Sequence, residues 1–155
     1  MVIKKVASGE TINVVILPVA MQDYNLITKK RFWFNWKEEK HHEVFKLQIK
    51  KTEEMLGLMS LEDIKEESRV EVRLLAVSSE NRGKNKKYEQ IIGNLIAFAC
   101  RYALRQYGEL ACISLIPKTE LTQHYIEKYG MFKTGISLCL DGPELMELIK
   151  TYNYE

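Results

Sequence analysis

Basic side chains crowd one loop of the chain and mark it as a candidate anion site. The loop covers residues 78–87, and its basic residues are Arg82, Lys84, Lys86 and Lys87. An apolar stretch with helical periodicity follows, so the loop leads into a predicted helix N-terminus, where unpaired N–H groups and the helix dipole attract anions. The pattern therefore predicts a ligand with phosphate groups. A solvated basic loop without a ligand is the alternative that these residues leave open.

The elements on either side of this loop predict a parallel β-α-β unit. Residues 70–77 are apolar and β-branched, as is typical of a strand. Apolar residues then recur at helical spacing, namely Tyr88, Ile91, Ile92, Leu95, Ala99, Tyr102 and Ala103. Gly108 is a stop signal for this helix, and residues 111–116 form an apolar run typical of a strand buried on both faces. A strand, a crossover helix and a second strand make a right-handed parallel unit.

The rest of the chain predicts more strands and two shorter helices. Residues 13–21, 44–49, 55–61 and 132–140 are typical of strands, and Gly57 indicates a bulge. One helix is predicted between an N-cap at Thr119 and a stop at Gly130, and another after Asp141-Gly142-Pro143. We therefore expect an α/β (α+β) fold, with a mixed, mostly antiparallel sheet around the central parallel β-α-β unit.

Two motifs in this central region resemble a known family. Leu75-Ala76-Val77 with Arg82-Gly83-Lys84 is similar to the strand and the start of the pyrophosphate loop of GNAT N-acetyltransferases. Residues 125–131 resemble the later tyrosine–lysine–glycine–aromatic segment of that family. The predicted strands at 44–49, 55–61 and 70–77 match its antiparallel meander. The resemblance covers roughly residues 43–135 and implies the GNAT-like acyl-CoA N-acyltransferase fold, which at this length we expect as a single domain over residues 1–155.

The loop departs from the family pattern Gln/Arg-x-x-Gly-x-Gly/Ala. Residues 85–90 intervene between the Arg-Gly-Lys motif and the first apolar residues of the helix. Two registers are open, Lys87-x-x-Gln90-x-Ile92 and Tyr88-x-x-Ile91-x-Gly93. Glycine allows a backbone to approach a pyrophosphate closely, and both registers lack at least one glycine.

The resemblance implies that acetyl-CoA donates an acetyl group directly to a primary amine in a ternary complex. It places pantetheine between the parallel strands and the pyrophosphate at the amides of residues 88–94, with charge-assisted bonds from basic side chains. The cofactor-binding residues that it implies are Leu75, Val77, Arg82, Lys87, Tyr88, Ile92, Gly93 and Asn94.

The resemblance also implies an acid and a base. Tyr125 is the candidate that protonates the leaving thiolate, but counting back from Gly130 puts Ile126 at the family position, so an ordinary amphipathic-helix residue is the alternative. Glu71 is the candidate base for the amine proton. An ion pair with a neighbouring strand is the alternative for Glu71.

Both ends of the chain differ from the family. Residues 23–40 stand where two helices usually wall the acceptor site, and they are too few for two full helices. They contain the aromatic block Arg31-Phe32-Trp33-Phe34-Asn35-Trp36, flanked by lysines. Core packing, an acceptor wall and base stacking are its three interpretations. At the other end, we expect the final helix to replace the family's last strand, so that this helix or a partner covers the sheet edge.

Composition excludes several classes of protein. The chain has 155 residues and a net charge of +2, which is too mild to indicate nucleic-acid binding. No apolar run approaches the roughly 20 residues of a bilayer span, and no signal-peptide pattern is present, so we expect a cytoplasmic protein. The three cysteines include no CxxC pair, so we expect buried thiols and no metal.

The expected function is an acetyl-CoA-dependent N-acetyltransferase that acts on a small-molecule or peptide amine, with no nucleic-acid or membrane partner. A catalytically inactive GNAT-fold binding or interaction protein is the alternative. A homodimer is left open.

Overall fold

The computed structural model describes Met1–Tyr152 and shows a mixed α/β fold. The strands of this part of the chain are β1 (Val2–Lys5), β2 (Thr11–Pro18), β3 (Glu43–Ile49), β4 (Met55–Ile64), β5 (Arg69–Val77), β6 (Tyr88–Glu89), β7 (Cys112–Leu115), β8 (Phe132–Thr134) and β9 (Ser137–Asp141). The α-helices are α1 (Lys29–Phe32), α2 (Ile91–Tyr107), α3 (Thr122–Tyr129) and α4 (Gly142–Tyr152). Several 3-10 turns connect these elements.

The strands lie in one sheet, in the order β6-β1-β2-β3-β4-β5-β7-β9-β8. β5 and β7 are parallel, with Arg69 opposite Cys112 and Val72 opposite Leu115. The pairs β1–β2, β1–β6, β2–β3, β7–β9 and β8–β9 are antiparallel. The predicted mixed, mostly antiparallel sheet around a parallel β-α-β unit is therefore confirmed.

The described chain falls into two compact units. The first comprises Met1–Ser60 and Leu74–Leu95, and the second comprises Leu61–Arg73 and residues 96–152. β4, β5 and α2 each contribute residues to both units. A single domain over residues 1–155 stays a prediction.

The N-terminal part of the sheet differs from the sequence prediction. The strand predicted at 13–21 is β2, which starts earlier and ends at Pro18, and β1 precedes it without having been predicted. β1 is short, and two of its residues are lysines, so its apolar pattern is weak. Ile3 is nevertheless fully buried, and its strand pairs with β2.

Tyr88 lies in a strand and not in the predicted helix. It pairs with Lys5 of β1, and the neighbouring Lys87 carbonyl accepts a hydrogen bond of 3.0 Å from the Val6 amide. Its apolar character continues the helical spacing by coincidence, because the tertiary pairing with β1 fixes its backbone as extended. Helix α2 begins three residues later, at Ile91.

The C-terminal part of the sheet is a hairpin and not one strand over 132–140. Gly135, at φ +57°, makes the turn that returns β9 along β8, with Thr134 opposite Ser137. Because both strands are present, α4 is an addition to the last strand and not its replacement. Thr119 is also not a helix N-cap, since it opens a 3-10 turn that precedes α3 and makes no side-chain cap.

Two glycines end helices as predicted. Gly108, at φ +56°, follows the last residue of α2, and Gly130, at φ +73°, is the C-cap of α3. Side chains other than glycine rarely adopt this left-handed conformation, which explains the residue type at both ends.

The core of the first unit divides the aromatic block. Phe32 and Trp36 are almost fully buried among Val44, Met55 and Leu58. Trp36 Nε1 also donates a hydrogen bond of 3.0 Å to the Phe32 carbonyl. Trp33, in contrast, is 55% exposed, and Phe34 next to it is 40% exposed. Core packing is therefore the right interpretation for half of the aromatic rings only.

Gly57 is explained by close packing of β4 against α2. A Cβ atom at this position would lie 2.9 Å from Ile91 Cγ2 and 3.0 Å from Leu95 Cδ1. A side chain here would therefore force the side chains of Ile91 and Leu95 to shift. The close approach explains why position 57 is a glycine, independently of the predicted bulge.

The second unit has its own apolar interior, to which β7, β9 and α4 contribute. Ile113, Leu138 and Leu140 are 0–1% exposed, and Leu145 and Leu148 of α4 are also buried. The helix predicted after Asp141-Gly142-Pro143 is therefore confirmed. The cysteines of the described chain are free thiols, and burial raises the pKa of Cys100 to about 12, which makes its thiol unreactive.

Candidate functional site

The edge of β5 that faces away from β4 extends past its ladder with β7 near Leu75 and Val77. The ladder with β7 stops at Val72, while β5 continues to Val77. The Ser78 amide donates 2.9 Å to the carbonyl of Leu56 on β4. Because backbone polar groups alternate along an extended strand, those of Val77 and Leu75 point to the opposite edge. This geometry supports the predicted pantetheine contacts.

One carbonyl on that edge is already occupied by a side chain. Arg82 donates two hydrogen bonds to the Val77 carbonyl, at 3.1 Å from Nε and 2.7 Å from Nη2. The guanidinium also stacks on the Trp33 ring, 3.8 Å from its centroid. Burial lowers the pKa of Arg82, against the opposing charge of Glu80. Arg82 thus reaches the predicted site but contacts the protein's own backbone there.

Trp33 reaches Arg82 from an unusual turn. Its backbone has φ +73° and ψ −43°, and the Phe34 amide donates 2.9 Å to the Phe32 carbonyl across it. This is a γ-turn with positive φ, which is rare and strained for a residue with a side chain. The strained turn presents the indole outward, while the residues on either side of the turn anchor α1 and the core.

A second arginine holds the same loop from the α1 side. Arg31 Nη2 lies 2.6 Å from Glu80 Oε1 and 3.4 Å from Glu54 Oε1. Burial alone would raise the pKa of Glu80, but its hydrogen bonds and the charge of Arg31 outweigh burial, so the pKa lies below its ordinary value. Neither the Arg31–Glu80 nor the Arg82–Trp33 contact has a signal in the sequence, because the two partners are 49 residues apart in each case.

The start of α2 has the conformation that a glycine usually provides. Gln90 immediately precedes the helix at φ +77°, and its carbonyl accepts the Asn94 amide at 3.2 Å. The amides of Ile91, Ile92 and Gly93 belong to the first turn, where N–H groups have no intrahelical partner. This favours the register in which Lys87 takes the basic position and Gln90 the first glycine position.

Other predicted cofactor residues of the loop have structural partners. The Tyr88 amide donates 3.0 Å to Asn81 Oδ1, and Asn94 Nδ2 donates 2.8 Å to the Val2 carbonyl and 2.7 Å to the Gln90 carbonyl. Lys87 is exposed, with its Nζ 5.5 Å from the Tyr88 ring centroid. Asn81, which the sequence analysis did not single out, therefore organises this loop.

Two buried oxygens at the helix start have no hydrogen-bond partner in the described chain. They are Gln90 Oε1 and Asn94 Oδ1. A buried acceptor without a partner is costly, so both atoms suit a donor such as water or a ligand amide. Oxygen acceptors repel a phosphate, so an anion would be held by the backbone amides of the first turn instead.

The predicted base, Glu71, lies in an ion-pair cluster of the second unit. Its Oε1 is 3.6 Å from Arg69 Nη1, and the same nitrogen donates 2.6 Å to Ser114 Oγ. Glu67 also pairs with Arg69, at 2.6 Å. Glu71 is therefore ion-paired, but its partner Arg69 lies on β5 itself and not on a neighbouring strand as the alternative had it. A catalytic role for Glu71 stays a prediction.

The predicted acid, Tyr125, is a half-buried residue of α3. Its ring centroid lies 5.6 Å from that of Tyr129 and 6.1 Å from that of His124. Burial raises the pKa of Tyr125, which keeps its phenol protonated at neutral pH. The structure places a protonated phenol on α3 but gives it no partner that fixes its role.

The segment that precedes β3 forms two adjoining depressions on the first unit. They have volumes of about 260 and about 320 Å³ and share Tyr24 and Lys37. Lys29 and Lys40 also line them, and no carboxylate of Met1–Tyr152 does. The segment contains two 3-10 turns and the short α1, so the expectation that it holds no two full helices is confirmed.

Two absences apply to residues 1–152. No helix there is long and apolar enough to cross a bilayer. No group of three or more His, Cys, Asp and Glu side chains within the same residues is arranged to hold a metal ion.

Comparison with known proteins identifies the fold. No protein-family model and no curated protein sequence matches the chain. Solved structures do match, among them an acetyltransferase of Bacillus anthracis in complex with acetyl coenzyme A, with a TM-score of 0.63 and 12% identity over 84% of this chain and 99% of that one. A GNAT-family acetyltransferase of Listeria monocytogenes has a TM-score of 0.59 and 14% identity, over 90% and 97% of the two chains. A spermidine N-acetyltransferase of Vibrio cholerae has a TM-score of 0.60 and 14% identity, over 82% and 92%.

Proposed function

Because the chain has the fold of the GNAT N-acetyltransferases, we propose that it transfers an acetyl group from acetyl-CoA to a primary amine, directly and in a ternary complex. The observation that carries the proposal is the edge of β5 at Leu75 and Val77, which extends beyond the ladder with β7 and is followed by a helix start with a glycine-like residue, Gln90. These features supply the backbone groups that pantetheine and a diphosphate would need. The mechanism proposed uses no metal.

Each predicted residue has a proposed role. Leu75 and Val77 would bond pantetheine through their backbone, and the amides of Ile92 and Gly93 would receive the diphosphate, with Arg82 and Lys87 supplying positive charge. Tyr88 and Asn94 would support the loop through the bonds to Asn81, Val2 and Gln90 described above. Acetyl-CoA would supply the acetyl group activated as a thioester.

Two residues of the second unit would move the protons. Glu71 would accept the proton that the attacking amine loses, and Tyr125 would donate its phenolic proton to the thiolate that leaves when the carbon–sulfur bond breaks. General acid–base catalysis of this kind contributes about 10²–10⁴-fold. The raised pKa of Tyr125 suits a proton donor at neutral pH.

The acceptor we propose is a small-molecule or peptide amine that also carries an acidic group, with neither nucleic acid nor a membrane as partner. The depressions near Tyr24 expose Lys29, Lys37 and Lys40, none of which is paired with a carboxylate in the described chain. These lysines would repel a polyamine such as spermidine. An amine with a carboxylate or phosphate should therefore react faster than a diamine of equal length, and added salt should reduce the difference.

Calorimetric titration with acetyl-CoA, followed by turnover of an amine panel, tests this function. Binding and turnover are expected, and Tyr125→Phe and Glu71→Gln should each reduce kcat by at least tenfold without weakening acetyl-CoA binding. Glu127→Gln, an exposed change on the same helix as Tyr125, is the control. Failure to bind at millimolar acetyl-CoA would exclude the proposal.

A GNAT-fold binding protein without catalysis is the second candidate. The bonds from Arg82 to the Val77 carbonyl and from the Tyr88 amide to Asn81 favour it, because they occupy groups that a cofactor could use. Binding of acetyl-CoA without turnover of any amine would support this candidate. A cytoplasmic location and a possible second copy as partner belong to both candidates, and reduced thiols suit that location.

A further inference from the structure

We propose that Arg82 and Trp33 form a clasp that covers the Val77 carbonyl in the free protein and opens when a diphosphate draws Arg82 away. Trp33 is then a positioning residue that acts on cofactor binding through Arg82. This inference rests on the proposed function, because it assumes that coenzyme A binds along β5. It adds a competition between the protein's own side chain and the ligand for one backbone oxygen.

The competition follows from the number of donors on one acceptor. A carbonyl oxygen has two lone pairs, and Arg82 already places two donors on this one, at 3.1 and 2.7 Å. An amide of pantetheine would be a third donor to the Val77 carbonyl unless at least one of these donors leaves. The contact therefore competes with a cofactor bound at this oxygen.

Arg82 is free to leave because its partners are weak compared with a diphosphate. No carboxylate of the described chain lies within ion-pair distance of Arg82. The nearby Glu80 carboxylate pairs with Arg31 instead, at 2.6 Å. Its bonds go to a neutral carbonyl and to an aromatic face. In bonds between a guanidinium and phosphate oxygens both groups are charged and the contact is often bidentate, whereas in the present bonds to Val77 only the donor is charged.

The backbone at Trp33 is strained, and this strained turn places the indole against Arg82. Its γ-turn at φ +73° costs energy for any residue other than glycine, yet the indole is 55% exposed and contributes little to the core. The stacking distance of 3.8 Å is the contact that the turn secures. The geometry therefore points to a function for the ring outside the core.

A first experiment asks whether removal of the Trp33 indole makes acetyl-CoA bind more tightly or more weakly. Glycine adopts φ +73° without strain, so Trp33→Gly keeps the turn and removes only the indole. Loss of the stacking partner should make acetyl-CoA bind roughly two- to fivefold tighter in calorimetry, which corresponds to an exposed cation–π contact. Trp33→Phe should restore the wild-type affinity. Unchanged or weaker binding in Trp33→Gly would overturn the clasp.

A second experiment observes the clasp through tryptophan emission. Trp36 is buried and Trp33 is exposed, so the difference between wild type and Trp33→Phe isolates the Trp33 signal. Coenzyme A should shift this signal to longer wavelength as Arg82 leaves the ring, and Arg82→Met should show the shifted signal without ligand. Binding by calorimetry without a change in Trp33 emission would overturn the clasp and leave the proposed function intact.

Ligand fragments separate the clasp from the proposed function. Inorganic pyrophosphate should release the Val77 carbonyl and so increase the affinity for pantetheine, and pantetheine should increase the affinity for pyrophosphate by the same factor. In Arg82→Met this coupling should disappear. Independent binding of the fragments in the wild type would contradict the clasp, whereas failure of acetyl-CoA to bind any of the proteins would contradict the proposed function.

Discussion

Two arginines fix the short segment of residues 79–82 through different kinds of partner. Arg31 contacts this segment from outside, and Arg82 is its last residue. Arg31 pairs with the Glu80 and Glu54 carboxylates, whereas Arg82 contacts a backbone carbonyl and an indole. The carboxylates have no role in the proposed reaction, but the carbonyl does. Two arginines in the same region can therefore differ in function. Arg31 bonds carboxylates that the ligand does not need, whereas Arg82 bonds a backbone carbonyl that the proposed ligand would use.

The largest effect is expected from Arg82. Arg82→Gln should weaken acetyl-CoA binding by roughly 10- to 100-fold, because hydrogen bonds to charged groups contribute about 1.5–3 kcal/mol. Isothermal titration measures this change. Lys84→Gln, which removes an exposed charge from the same loop, is the matched control and should change the dissociation constant by less than about threefold. Equal effects of the two changes would remove the distinction drawn for Arg82.

A substitution at Gly57 tests the packing of β4 against the start of α2, which positions the loop. Gly57→Val should reduce the free energy of unfolding by about 1–3 kcal/mol, because its side chain would overlap Ile91 and Leu95. Urea denaturation measures the loss, and Gly57→Ala should cost less. Since removal of side-chain atoms at Ile91 makes room, Gly57→Val combined with Ile91→Ala should cost less than the sum of the single changes. Strict additivity would show that this contact is not the cause.

Arg31 should affect stability slightly and binding hardly at all. Its pairs with Glu80 and Glu54 are partly exposed, so Arg31→Gln should cost only about 0.2–1 kcal/mol. The dissociation constant for acetyl-CoA should stay within about twofold of the wild type. A loss of binding as large as that of Arg82→Gln would mean that the two arginines act as one unit.

Acidification should break the ion pair between Arg31 and Glu80 before it affects the contacts of Arg82 with Val77 and Trp33. The pKa of Glu80 is lower in the folded than in the unfolded chain, so its contribution is present above about pH 4.3 and is lost as the pH falls through the folded pKa. Arg82 contacts no carboxylate and should keep its contacts over that range. The Trp33 emission should therefore stay constant while the stability difference between wild type and Glu80→Gln disappears on acidification.

The central elements could be predicted from local sequence patterns. Alternation and β-branching placed β5, helical spacing and Gly108 placed the body and end of α2, and the apolar run placed β7. These signals are local, because a strand or helix that buries one face must repeat its apolar residues with the period of that element. The parallel β5–β7 pairing followed from the handedness and order of these elements.

The details of the candidate site depend on packing between segments that are remote in the chain. Tyr88 belongs to a strand because β1 lies beside it, and Gln90 adopts φ +77° although its residue type does not favour that conformation. Trp33 and Arg82 meet across 49 residues of sequence, as do Arg31 and Glu80 according to their hydrogen bonds. Contacts of this kind leave no periodic signal, since each depends on how remote segments pack and not on the residues that surround it in the chain.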